Sequence, residues 1–512
     1  MEATVDETTR HTAAHVLAQA FLRIYPEAKL GIGPVTEEGF YYEFQLDQKI
    51  KSEKKLIDKL EAEIYEIIEA ELPITQVFLP TQEAVDMLLQ RGQVFKAELL
   101  QDVEQDEISF YKTGDEFIDL CRGPHLSNTG KLGIIKITKI TNSRWKNDET
   151  RPEMYRIEGK AFSNEEELEN FQKKVEDISL RDHTKLNEKL AIYKKYSLSG
   201  LERYALTVTG SEILLSLVEA VKSELREDQY SQIIPPIAEQ GLFEQQLIAE
   251  LARSGSTGKV FSELVSSEPI DSGREGLFEQ SNPLEIRAFC LVENKNFANE
   301  LKLSANLITS FYKGILPEGL SWVYASNFVG GEEALQETGL DVRVRGTTKD
   351  EKGYINLDYK DLFGSIISLA RIESMPKLAE EINRTNSNNS NKFDLLQVTF
   401  CTSLEALMAL LLEYYNGSLP NKIAAQQALI IPESTSEVGY AKEVYHNLIN
   451  NNIRTKIDYT FGNASSTAGI PYLLYLGEQE QNNQVLRVVP NGDESLGLMN
   501  INEFLQKVRD LG

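Results

Sequence analysis

The chain has 512 residues, 41% hydrophobic and 26% charged, a length and balance that suit about three soluble domains. Its 53 Lys and Arg against 79 Asp and Glu leave a net charge of -26, which argues against broad, non-specific nucleic-acid binding and leaves room only for a local basic patch. An acidic start without signal or transit features, no apolar run near the ~20 residues of a membrane span, and only three cysteines (Cys121, Cys290, Cys401) predict a cytoplasmic protein with no membrane partner.

The first predicted element is a helix in RHTAAHVLAQAFLRIYP, with an apolar stripe of Val16, Leu17, Ala20, Phe21 and Ile24 and a stop at Pro26. It carries two of the chain's five histidines, and their i, i+4 spacing sets His11 and His15 side by side on one face. The alternative is that both rings merely cap a core edge. A partner cluster follows in FIDLCRGPHLSN, where Gly123 and Pro124 rule out a regular helix and present Cys121 and His125 from a turn after a strand. Three histidines and a thiol are zinc-ligand types, and they suit equally the gripping and activation of a water molecule.

HTAAHVLAQAFLRIYPEAKLGIGPVTEEGFYYEF, CRGPH and the later RDHTKL together resemble the editing domain of bacterial-type threonyl-tRNA synthetases, over about residues 5–190. In that family the domain hydrolyses seryl-tRNA(Thr), the product of mistaken charging. The resemblance carries the site onto His11, His15, Cys121 and His125, with Lys96 of RGQVFKAEL and Asp119 as neighbours. Ester hydrolysis needs a positioned water, a base and a group to hold the developing oxyanion. Histidines orient and deprotonate the water, Lys96 offers positive charge, and Cys121 is assigned to water or substrate binding rather than to nucleophilic attack. Related alanyl editing proteins hold zinc with a similar cluster, so zinc is a possible cofactor there. One methyl in binding is worth only about 1 to 3 kcal/mol, which is why a second, size-excluding site is needed to separate serine from threonine. Phe40, Tyr41 and Tyr42 of GFYYEF either shape that pocket or form a plain core strand.

Downstream, a capping-box start at Ser163 predicts one long charged helix running through RDHTKLNEKLAIY. A Ser/Gly break at YSLSGLER then opens a second domain, and most of residues 205–420 resembles a shrunken class II synthetase core. Placed in register with that family, FVGGEEALQETGLDVRVRGTTKDEKGYI has Gly331 where motif 2 has its ATP-binding arginine, although Glu333 keeps the neighbouring carboxylate. Gly353 and Gln397 replace zinc-binding histidines, Ala406 replaces the motif 3 arginine, and Cys290 falls near the zinc cysteine, although a lone cysteine cannot complete that site. Without those cations the phosphates of adenylate formation lack stabilisation, so ATP is not expected to be used. The interval between the motifs is short and ends in NRTNSNNSN, a predicted flexible loop, with strands that would bind threonine and ATP expected to be missing.

A third domain starts near Ile423, where ALIIP, AKEVYHNLINNNIRTKID, PYLLYLGEQ and VLRVV alternate strand and helix patterns. It resembles the anticodon-binding domain of the same synthetases, with Glu480 and Arg487 at matching positions, but YTFGNASSTAG stands where the family has a charged helix. His446 reads as an ordinary surface residue. The editing motifs begin almost at Met1, so the family's N-terminal ubiquitin-like domain is expected to be absent.

The expected fold is therefore α+β: an editing domain at 1–195, a degenerate antiparallel class II core at 200–420 and a C-terminal α/β anticodon-binding-like domain at 423–512. The expected function is hydrolysis in trans of seryl-tRNA(Thr), with tRNA, an active threonyl-tRNA synthetase or a second copy in a homodimer as partners. The alternatives are a non-catalytic accessory or regulatory paralogue that binds tRNA or a synthetase, and a still-active threonine–tRNA ligase.

Overall fold

The computed structural model describes residues 6–510 apart from 37–38, 102, 149, 199–200, 235–245, 248, 252–257, 266–273, 275, 280–282, 347–352, 386–391, 463, 465–466 and 492–494. It divides into two compact units, Met1–Glu176 and Asp177–Gly512. Among the described residues no helix is long and apolar enough to cross a membrane.

The first unit is built around helix α1 (Glu7–Ile24), started by Asp6, whose carboxylate accepts the Thr9 N–H at 2.7 Å. Every residue from Thr12 to Phe21 is buried, so α1 is an internal helix rather than the one-sided surface helix that its apolar stripe suggests. Small residues at Ala13, Ala14, Ala18 and Ala20 let its neighbours approach from several sides. Seven strands follow: β1 (Lys29–Leu30), β2 (Phe40–Gln45), β3 (Ile74–Pro80), β4 (Glu107–Thr113), β5 (Phe117–Leu120), β6 (Ile134–Arg144) and β7 (Glu153–Phe162). They form one antiparallel sheet in the order β1-β2-β7-β6 and a second in the order β3-β4-β5. Phe21 of α1 stacks on Phe44 of β2 with centroids 3.9 Å apart, while α2 (Glu53–Glu69) buries Leu56, Leu60, Ile64 and Ile67 in the same core. Two short helices, α3 (Thr81–Gln90) and α4 (Val94–Glu98), lie between β3 and β4.

The predicted long charged helix is two helices, α5 (Glu165–Leu180) and α6 (His183–Leu190). Asp182 separates them because its carboxylate caps α6 through the Thr184 N–H at 2.8 Å. The capping bonds at the start of α5 are also displaced by one residue: Asn164 Oδ1 accepts the Glu167 N–H at 3.0 Å, and Glu167 Oε2 accepts the Ser163 N–H at 2.8 Å. The YSLSGLER stretch forms a hairpin of β8 (Tyr193–Leu198) and β9 (Leu201–Leu206), with Ser199 and Gly200 outside the described residues.

In the second unit, helix α7 (Val208–Glu227) precedes an eight-stranded sheet. Its strands are β10 (Ser231–Gln232), β11 (Lys259–Val265), β12 (Leu284–Glu293), β13 (Leu320–Ala325), β14 (Asp341–Arg345), β15 (Tyr354–Lys360), β16 (Ile366–Ser374) and β17 (Phe393–Cys401). The order is β10-β11-β12-β17-β16-β15-β13-β14, antiparallel except for the end pairs β10/β11 and β13/β14. Helices α7, Phe297–Ile315 and Leu404–Tyr414 share one core with the sheet; Pro376–Thr385 shares a separate one. Residues 386–391 of the Asn/Ser-rich stretch lie outside the described residues.

The C-terminal stretch has its own sheet, formed by β18 (Ala428–Pro432), β19 (Thr455–Ile457), β20 (Tyr472–Leu476), β21 (Leu486–Pro490) and β22 (Gly497–Met499) in the order β19-β18-β20-β21-β22. β18 is parallel to both its neighbours, as strand–helix alternation requires, and Ile430, Val444, Leu474, Val488 and Phe504 fill a separate core. His446 is exposed on the Val438–Asn450 helix.

Candidate functional site

Helix geometry places His11 and His15 one turn apart on α1, with ring centroids 5.3 Å apart. The other half of the site comes from β5 and the turn after it, which carry Asp119, Cys121 and His125. Gly123 makes this turn possible: its φ is +73°, and a Cβ there would lie 2.2 Å from the Tyr111 hydroxyl oxygen. The turn therefore folds back against Tyr111, whose ring centroid is 4.5 Å from that of His125.

The four residues meet. Cys121 Sγ lies 3.2 Å from His11 Nε2 and 3.2 Å from His125 Nε2, and it accepts the Gly123 N–H at 3.2 Å. The His125 ring is 4.2 Å from the His11 centroid and 4.1 Å from that of His15. Beside them is a buried ion pair, in which Lys96 Nζ donates to both Asp119 oxygens at 2.8 and 3.0 Å. Asp119 also accepts the Tyr42 hydroxyl at 2.5 Å and the Leu120 N–H at 2.8 Å, and its Oδ2 lies 3.8 Å from His15 Nε2. All six sequence-predicted site residues thus fall in one place. Lys96, however, is not a free cation: Asp119 neutralises it, and both side chains are 5% exposed or less.

Of the two alternatives for Tyr42, the core strand is what the structure shows: its ring is buried in the core, and its hydroxyl donates to Asp119. Phe40 is plain core, and Tyr41 is half-buried under the Arg156 guanidinium, 4.4 Å from its ring centroid. Thr12 and Tyr111 were not singled out. The sequence offers no signal for the first, because its role depends on the burial of α1 and on the turn that brings His125 and Leu126 to its hydroxyl.

Burial sets the protonation of the cluster. It lowers His11, lowers His15 well below the ordinary histidine value and pushes His125 down to about 2, so all three rings are neutral near pH 7. Burial also raises the Cys121 thiol to about 11. Neutral imidazoles offer lone pairs, either to a water proton or to a metal ion.

The donor atoms of His11, His15, Cys121 and His125 all lie within 4.8 Å of one another. Their N₃S set is a recognised zinc set, and His15 Nδ1 is buried with no hydrogen-bond partner among the described residues. The residues therefore fit a zinc ion, which these four side chains would hold.

The second group of potential ligands, Asp182, His183 and Glu413, is already satisfied. His183 Nδ1 lies 2.7 Å from Glu413 Oε1, its Nε2 accepts the Leu277 N–H at 3.2 Å, and the Arg274 guanidinium pairs with Asp182, Glu413 and Asp361. In the second unit, Ala406 on the Leu404–Tyr414 helix is buried in the core shared with the sheet, Gly331 at the start of a short helix lies against the Tyr324 ring, and Gln397 of β17 bonds Glu373. Cys290 does not join Gln397: it points into the helix-side core, whereas Gln397 pairs with Phe289 on the opposite face. The zinc-cysteine expectation for Cys290 is therefore corrected by the strand register. In the C-terminal stretch, Arg487 Nε lies 3.4 Å from Glu480 Oε1.

Residues 108–158 match the family described as the threonyl and alanyl tRNA synthetase second additional domain, and residues 427–511 match the anticodon binding domain. A threonine–tRNA ligase of Clostridioides difficile is 29% identical over 98% of this chain and 87% of its own length, and one of Clostridium tetani is 28% identical with the same coverage. A crystal structure of the RNA binding domain of threonyl-tRNA synthetase from Cryptosporidium parvum, 16% identical, superimposes with a TM-score of 0.53, covering 65% of this chain and 98% of that one. The chain is thus threonyl-tRNA synthetase-like: in sequence it is similar to threonine–tRNA ligases along nearly its whole length, and it carries matches to the second additional domain and to the anticodon binding domain.

Proposed function

We propose that this protein hydrolyses mischarged seryl-tRNA(Thr) in trans and does not charge tRNA. The observation that carries the reading is the convergence of three neutral histidines and Cys121 beside the buried Lys96–Asp119 pair. In the reaction the oxygen of a water molecule bonds to the ester carbonyl carbon and one of its protons passes to an imidazole lone pair. The bond to the ribose oxygen then breaks, and that oxygen takes a proton as it leaves as a hydroxyl. His11 and His125 orient the water with Cys121 between them, while Asp119, fixed by Lys96 and Tyr42, lies 3.8 Å from His15 Nε2. Zinc held at the cluster would supply Lewis acidity to the water or carbonyl, or, with all four ligands engaged, a structural closure.

The second half of the reading rests on what stands where the resemblance expects motif arginines and zinc ligands. Gly331 and Ala406 supply no cation for adenylate chemistry, and Gly353 and Gln397 supply no imidazole for zinc. On this view the chain divides at 1–195, 200–420 and 423–512, and the last two parts dock tRNA(Thr), an active synthetase or a second copy. The test is to incubate the purified protein separately with seryl-tRNA(Thr) and threonyl-tRNA(Thr) and follow ester loss. Selective loss of the seryl ester supports the reading, and equal persistence of both refutes it.

A further inference from the structure

Thr12 is fully buried between the two helix histidines, and three polar groups converge on its hydroxyl. The hydroxyl lies 2.8 Å from the Thr8 carbonyl oxygen, 3.0 Å from the Leu126 backbone nitrogen and 3.3 Å from His125 Nδ1. A hydroxyl has one proton and two lone pairs. The carbonyl can only accept, so the proton goes to Thr8. The amide can only donate, so one lone pair goes to Leu126. What remains toward His125 is the second lone pair, and a favourable contact there requires Nδ1 to carry the ring proton. In a neutral imidazole Nε2 is then bare, and Nε2 is the atom 3.2 Å from Cys121 Sγ, facing the centre of the cluster.

We infer that Thr12 is a positioning residue that holds His125 in its Nδ1–H tautomer and so presents the Nε2 lone pair to the attacking water. Its catalytic consequence rests on the hydrolysis proposed above; the hydrogen-bond assignment does not. The other tautomer would set the Nδ1 lone pair against the Thr12 lone pair and turn an N–H toward the place where a proton must be taken up. The same bare Nε2 is the form of the ring that a metal ion at the cluster would need.

The experiment is nitrogen-detected NMR of the full-length protein labelled with ring-¹⁵N histidine. Only five histidines are present, and His125 is identified by the resonances lost in His125→Gln. The parent protein is expected to give a pyrrole-type Nδ1 and a pyridine-type Nε2 for His125. Thr12→Val, nearly isosteric, should mix or reverse the two and lower kcat on seryl-tRNA(Thr) about tenfold to a hundredfold with KM nearly unchanged; Thr12→Ser should restore both. A parent His125 protonated on Nε2 overturns the assignment even if the valine variant fails to fold. So does a valine variant that keeps the Nδ1–H tautomer, or one whose loss lies wholly in KM. If the parent hydrolyses no ester, the function reading falls while the tautomer measurement still decides the role of Thr12.

Discussion

His11, His15, Cys121 and His125 surround one small volume, so each loses its use when another is removed. Single alanine variants should each lower seryl-tRNA(Thr) hydrolysis about a hundredfold to ten-thousandfold, and His11→Ala/His125→Ala should be little worse than the poorer single. Additive losses would show that the two rings act on different steps. The buried histidines also set an acid limit. His15 is held neutral in the folded protein and charges freely when unfolded, so the unfolded state binds more protons below the ordinary histidine value near 6.5. Its contribution is fully present above that pH and is lost as pH falls below it, at about 1 kcal/mol per pH unit for His15 alone. Urea unfolding followed from pH 7.5 to 5.5 in the presence of a chelator should show the decline, and His15→Gln should make it shallower, with His125 and His11, also held neutral, supplying the remainder. At the same scale, Asp119→Asn would leave the Lys96 ammonium buried without its partner and should destabilise the first unit by roughly 3–5 kcal/mol in urea unfolding.

At the scale of the element, the turn after β5 is what aims two of the four side chains. Gly123→Ala would strain a residue with φ of +73° and push a methyl into the Tyr111 hydroxyl, so seryl-tRNA(Thr) hydrolysis should fall even though no reacting group is touched. Activity equal to that of the parent would mean that the turn tolerates rearrangement. Much of the site was legible in the sequence, because Gly and Pro between Cys121 and His125 exclude a helix there and the apolar stripe before Pro26 predicts the one that sets His11 and His15 side by side. The burial of α1 on all sides was not legible, since alanines read as neutral in an apolar stripe and only the tertiary neighbours reveal what they admit. The division of α5 from α6 was hidden for a related reason: Asp182 within a charged run reads as a surface residue, and its capping role depends on the backbone turn that it stabilises. Lys96 falls beside the His/Cys cluster as the resemblance implies, but its pairing with Asp119 could not be read from residues that lie 23 positions apart.

At the scale of the whole molecule, His11, His15, Cys121 and His125 converge in the first unit, while in the unit that holds the eight-stranded sheet Gly331 and Ala406 stand where the resemblance expects arginines. Cys290 illustrates the limit of reading that sheet from sequence, because a slip of one position on a strand moves a side chain to the opposite face. No threonine-dependent ATP–pyrophosphate exchange is expected, and exchange at the rate of an ordinary synthetase would overturn that half of the account. If the residues beyond α5 dock substrate, a chain ending at 180 should keep its kcat and raise KM, whereas an unchanged KM would show that the rest contributes nothing to capture. The central claim is that the four-residue cluster removes serine from tRNA(Thr). Its most direct test is the rate of ester loss from seryl-tRNA(Thr) and threonyl-tRNA(Thr) with the parent protein and with the four single alanine variants. The account predicts fast, serine-selective hydrolysis by the parent and a large loss in every variant; hydrolysis by all four variants at the parent rate would contradict it.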